Sequence, residues 1–217
     1  MKIRNIKGLF KAEAVSKCCG EAAVIHSNDP HSFFMEELSL NVLDIAKNSV
    51  KAKATLIQIL FEETEDILTV VVKDNGTGIK KCNLKLVTAP FYTTRTTRSV
   101  GMGLPLFKKA AEATGGSLVI KSKHFSNFSH NHGTTVKAIF YKKNVNFVPI
   151  GNMTETIITL IQGNPEIDFI FKHITPKATV MLDTREFRKV LDGVPLNNYE
   201  ILGWIKKYLY KQYAIEF

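Results

Sequence analysis

The chain has 217 residues, 45% hydrophobic and 23% charged, with a formal net charge of +9 at pH 7. That length holds one substantial core, or one domain with a smaller lobe, and the composition is globular rather than disordered or fibrous. It argues against a helical membrane protein, since no apolar run approaches the roughly 18–20 residues of a span.

Residues 1–34 show no sustained period, lack the apolar core of a secretory signal and stay unassigned. With Cys18, Cys19 and Cys82 too oddly spaced for a disulfide framework or a metal site, the thiols read as free and the expected location is the cytoplasm. From Met35 the pattern becomes helical through MEELSLNVLDIAKNSVKAKAT. Two strands follow, 55–62 and 67–74, joined by the polar turn ETED as a hairpin. Residues 80–100 are basic, Thr-rich and poorly periodic. GMGLPLFKKAAEATGG then reads as a helix, with Pro105 near its start and Gly115-Gly116 as its stop.

Strands at 117–122 and 133–141 flank a loop bearing His124, His130 and His132, read as a polar hairpin loop in preference to a zinc site. Beyond Asn146 the pattern gives a helix capped by Thr154, a hairpin around Thr175-Pro176-Lys177, a short helix capped by Thr184, and a last helix capped by Asn197 or Asn198. The expected class is α+β, a mainly antiparallel sheet covered by helices. The expected division is residues 1–34, a domain at 35–145 and a small α+β extension at 146–217.

On the first helix, at about 100° per residue, Glu37, Asn41, Asp44, Asn48 and Lys51 share an arc of about 80° opposite Leu38, Val42 and Ile45. Polar helix faces are ordinarily solvated, but asparagine is a poor helix former, and two of them here contribute little as surface filler. Amide, carboxylate and ammonium together suit a metal, a water and a phosphate.

The turn DNGTGI ends a strand with Asp74. Its carboxylate can accept a hydrogen bond from the amino group of adenine, while Gly76 and Gly78 let a flat ring approach the backbone. Guanine would set an acceptor against an acceptor there, a cost of about 1–3 kcal/mol. GMGL opens a helix with glycines, which suits phosphate binding by free amides. Upstream, Thr93 to Arg98 form a cationic, hydroxyl-rich segment that reads as a lid whose arginines meet terminal phosphates.

In order, DIAKNSVKAKAT, DNGTGI, PFYTT, GMGL and GTT resemble the N, G1, phenylalanine, G2 and final boxes of the GHKL ATP-binding superfamily. That superfamily includes DNA gyrase, MutL, the large heat-shock chaperone ATPases, histidine kinases and anti-sigma-factor serine kinases. The resemblance implies a Bergerat-type α/β sandwich with ATP and Mg2+ as cofactors. It implies that Asn48 binds the magnesium, Lys51 a phosphate, and Asp74 adenine with Gly76 and Gly78 beside it. Gly101, Met102, Gly103 and Leu104 would lie under the phosphates, Thr94, Arg95 and Arg98 in the lid, and Thr135 near adenine.

Asp44 stands four residues before Asn48, where the ATPase branch carries a general-base glutamate. Its side chain is one methylene shorter, and a displacement of about 1 Å can lower a rate about a hundredfold. Neither His26 nor His31 has the sequence context of a phosphoacceptor histidine. From Met35 on, the chain is also similar to short stand-alone ATP-binding proteins of anaerobic bacteria.

Three readings stay open: a trans-acting protein kinase with Asp44 orienting the acceptor hydroxyl, an ATP-operated switch or slow ATPase regulating a partner protein, and, least favoured, a basic nucleic-acid-binding module. The expected partners are ATP and a protein, with no membrane and with a homodimer left open.

Overall fold

The computed structural model describes residues 37–88, 103–128 and 130–216. In β1 (Leu56–Glu63) and β2 (Ile67–Asp74) every second side chain is buried, the period-two signature of a sheet with one face in the core. The polar turn Thr64–Asp66 joins them, with the Thr64 N–H donating to the Ile67 carbonyl at 2.8 Å. β3 (Ser117–Lys123) and β4 (Gly133–Tyr141) form a second hairpin, and β5 (Asp168–Ile174) and β6 (Thr179–Asp183) a third.

All six strands lie in one sheet of order β3-β4-β2-β1-β5-β6. Every pairing is antiparallel except β1 with β5, which run parallel. The strands of the 146–217 segment thus continue the sheet of the segment before it. A parallel pair needs a crossover, and α3 (Met153–Gly163) supplies its final leg.

The buried phase of each strand, such as Ile57, Ile59 and Phe61 on β1 and Phe169 and Phe171 on β5, joins one core with the apolar faces of the helices. These are α1 (Leu38–Lys51), α2 (Gly103–Ala113), α3, α4 (Thr184–Leu191) and α5 (Tyr199–Glu216). Helices on one face and a sheet beneath give a two-layer α+β sandwich. Phe61, Phe107, Phe140, Phe169 and Phe171 are fully buried, each gaining about 1.5–3 kcal/mol over exposure. Phe107 of α2 meets Phe140 of β4 with ring centroids 5.4 Å apart.

Two caps differ from expectation. Thr154 and Thr184 are buried, and the caps are the residues before their helices. Asn152 accepts from the Glu155 N–H at 3.1 Å, and Asp183 accepts from the Arg185 N–H at 3.0 Å. The Thr184 hydroxyl instead accepts the Phe169 N–H across to β5 at 2.8 Å. Asn198 caps α5 as expected, accepting from the Glu200 N–H at 2.9 Å.

A polar network ties α5 to the sheet. Glu63 on β1 bonds to His173 on β5 at 2.8 Å, His173 to Tyr213 on α5 at 3.1 Å, and Lys142 to Glu63 at 2.5 Å. At the sheet's far edge, the Gln212 amide of α5 accepts the Met181 N–H and donates to the Met181 carbonyl. Among the described residues no helix is long and apolar enough to cross a membrane.

Candidate functional site

Asp74 is the last residue of β2 and faces the helix layer, in phase with buried Leu68, Val70 and Val72. Its two oxygens take three donors. Oδ2 accepts the Ser49 hydroxyl of α1 at 2.8 Å, while Oδ1 accepts the backbone N–H of Gly76 at 2.9 Å and of Thr134 at 3.1 Å. The carboxylate is therefore fixed at once from α1, from its own turn and from β4.

The rest of the turn serves to hold it. Asn75 turns away and ties the loop to β1, its Oδ1 accepting the N–H groups of Thr55 and Leu56, each at 2.9 Å. The Thr77 N–H donates to the Ala52 carbonyl at the end of α1. Gly78 has φ +72°, and a Cβ there would lie 2.1 Å from the Lys123 carbonyl oxygen, so only glycine allows this approach. The Ile79 N–H donates to Ser122 Oγ at 2.7 Å, and Ser122 meets the Thr134 hydroxyl at 2.9 Å. His132 Nδ1 lies 2.6 Å from the Gly76 carbonyl, which can only accept, so that nitrogen carries the proton.

Thr134 and Thr135 occupy opposite faces of β4. Thr134 is in phase with the buried Val136, Ala138 and Phe140, whereas Thr135 points with Lys137 away from the helices. The residue that touches Asp74 is Thr134. Ser49, Ser122 and Thr134 had not been singled out from the sequence, and His132 had been read only as part of a polar hairpin loop.

Asp44, Asn48 and Lys51 lie on one flank of α1, Asp44 half-buried and the other two exposed. Asn41, one of the same polar set, is fully buried. Its Nδ2 donates to the Glu37 carbonyl at 3.3 Å, and its Oδ1 has no donor among the described residues. The polar flank is thus partly an interior surface. Gly103 begins α2 directly against Asp44, where an added Cβ would stand 2.9 Å from the Asp44 Cβ. Leu104 packs against the core beside it. Thr94, Arg95, Arg98, Gly101 and Met102 lie outside the described residues.

An amide and a carboxylate on one flank, a helix start beside them and a carboxylate anchored at a strand end all lie on the helix side of the two-layer sandwich. The family model described as "Histidine kinase-, DNA gyrase B-, and HSP90-like ATPase" matches residues 35–144, half of the chain. The chain belongs to this family.

The tetrathionate sensor histidine kinase TtrS of Salmonella typhimurium is 29% identical over 92 residues, 42% of this chain and 15% of that protein. The CAI-1 autoinducer sensor kinase/phosphatase CqsS of Vibrio cholerae is 26% identical over 172 residues, 74% of this chain and 25% of that protein. The chain therefore spans a quarter or less of the length of these relatives. Among solved structures, the N-terminal domain of a DNA repair protein is similar with TM-score 0.48 and 22% identity, covering 69% of this chain and 53% of that one. A domain of this family supports ATP binding.

Proposed function

We propose that the protein binds Mg·ATP between the polar flank of α1, the Asp74 turn and the start of α2, and uses it as a regulatory protein kinase acting on another protein. The observation that carries this reading is the three-way anchoring of Asp74 by Ser49, Gly76 and Thr134. An acceptor held that firmly suits the exocyclic amino group of adenine, because its reorganisation cost is already met by the fold. On this geometry the adenine-side threonine role falls to Thr134, which lies on the helix side with Asp74, in preference to Thr135.

The donor set at α1 fits a magnesium ion. The Asn48 amide oxygen and the Asp44 carboxylate are hard oxygen ligands of the kind magnesium takes alongside phosphates. The ion, when bound, would neutralise charge on the phosphates; Asn48 would hold it, Lys51 would meet a phosphate, and Asp44 would orient an acceptor hydroxyl or a water. Glycines from Gly101 through Gly103 would cradle the phosphates, and the arginines at 95 and 98 would close over them.

A second reading is favoured by one observation, the short Asp44 side chain set against Gly103 at the start of α2. A base shorter than glutamate slows chemistry, while a group packed on a helix start can report whether phosphates are present. That describes an ATP-operated switch with little turnover.

Calorimetric titration with ATP, with and without magnesium, tests the site. Magnesium-dependent binding lost in Asp74→Asn is the expected result, and unchanged affinity in that variant overturns the assignment. Transfer of radiolabel to a second protein, against its absence beside nucleotide-dependent protection of residues 80–103, separates the kinase from the switch.

A further inference from the structure

The face of the sheet turned away from the helices carries a pattern of its own. By strand register, Lys121, Thr135 and Lys73 form one row across β3, β4 and β2. Val119, Lys137, Val71, Leu60, Lys172 and Met181 form the next, crossing all six strands. Lys73, Lys121, Lys137 and Lys172 are exposed. None of the four is joined to a carboxylate by an ion pair among the described residues. Of the carboxylates on this face, Asp168 and Asp183 are held by Arg188 and Arg185, and Glu62 leaves the four lysines in excess.

The aliphatic members of these rows stand outside the core that the helices cover. Val119 is 48% exposed and Met181 43%. Ammonium groups thus alternate with aliphatic side chains along these rows.

We infer that this face docks an acidic protein surface, one that presents carboxylates around aliphatic side chains. Complementary charge would steer the encounter, and burial of the aliphatic rows would hold the complex. Sheet faces that bind single-stranded nucleic acid carry aromatic side chains on which bases stack. Neither lysine row here contains one. Arg185 and Arg188 at the edge of this face are already taken up by Asp183 and Asp168, so its free cations among the described residues are lysines that recognise charge, and the apolar groups between them favour a partner with apolar groups of its own. The inference does not rest on nucleotide binding, since Asp74 faces the opposite side of the sheet.

The test measures binding of a fluorescently labelled glutamate–leucine copolymer, with polyglutamate, duplex DNA and single-stranded RNA of matched charge as comparators. Two variants carry the same change in net charge: Lys73→Glu/Lys121→Glu/Lys137→Glu on the face, and Lys189→Glu/Lys207→Glu/Lys211→Glu on α4 and α5. The copolymer is expected to bind most tightly, with affinity falling about tenfold in the face variant, less than about twofold in the other, and steeply with salt. Equal losses in the two variants, or DNA or RNA binding more tightly than the copolymer and lost in the face variant, would overturn it. Circular dichroism checks folding, and a Lys→Gln version of the face triple replaces any variant that fails to fold. Titration of ATP into the face variant separates the two readings, because its nucleotide affinity is expected to stay unchanged.

Discussion

Asp74 is the residue on which the proposed site turns, and its bonds say which changes the fold tolerates. In Asp74→Asn one oxygen can still accept from Gly76 and Thr134, while the new amide donates to the Ser49 hydroxyl, which is also an acceptor. Melting temperature is therefore expected to shift little, while ATP binding is lost because a donor then faces the adenine amino group. Ser49→Ala is milder: the carboxylate keeps two of its three donors, and an affinity loss of about tenfold is expected by calorimetry. Gly78→Ala acts on stability instead. Its positive φ and the Lys123 carbonyl leave no room, and chemical denaturation should show a loss of about 2 kcal/mol or more. At this scale the turn and its need for glycine at 78 were legible in DNGTGI, but the bond from the Thr134 backbone to Asp74 was not. The apolar phase of Val136, Ala138 and Phe140 would have placed Thr134 rather than Thr135 on the helix side.

Among the elements, the caps show where local reading fails. The threonine nearest each apolar run was read as the cap of α3 and of α4, by the usual preference for small hydroxyl side chains. Tertiary packing took both hydroxyls inside, and the neighbouring Asn152 and Asp183, already at the surface, cap the helices. Asn152→Ala is expected to cost about 1 kcal/mol in denaturant unfolding, and Thr154→Ser less than that if its role is packing alone. The polar set on α1 was legible as one flank of the helix, yet Asn41 proved to be interior, because periodicity gives the angle of a side chain and not what lies over it.

Across the whole molecule, strand number and hairpins could be read from the sequence, but the parallel pairing of β1 with β5 could not, since nothing local records a partner so distant in the chain. The Glu63–His173–Tyr213 network fastens that distant segment. Burial alone would raise the Glu63 carboxyl, but hydrogen bonds from Lys142 and His173 outweigh it and hold the group below the ordinary glutamate value of 4.5. A depressed folded value means the stabilisation is complete above the unfolded value and lost as pH falls through the folded one. Thermal melts are accordingly expected to weaken on acidification below about pH 4.5, with a flatter acid limb in Glu63→Gln. Burial pushes the Tyr213 phenol up, so it stays protonated and stability declines as pH rises past its ordinary value of 10.0.

The sheet order has a temporal side. During synthesis, the residues that anchor Asp74 have all left the ribosome once Thr134 has, whereas β5 begins only at Asp168. In that interval β1 has one neighbour and one bare flank, and its backbone from Leu56 to Glu63 is a template awaiting a strand. Until β5 emerges, the nascent chain holds the anchored Asp74 turn above a β1 that is unpaired on one side, the period in which that strand is most open to mispairing and to chaperones.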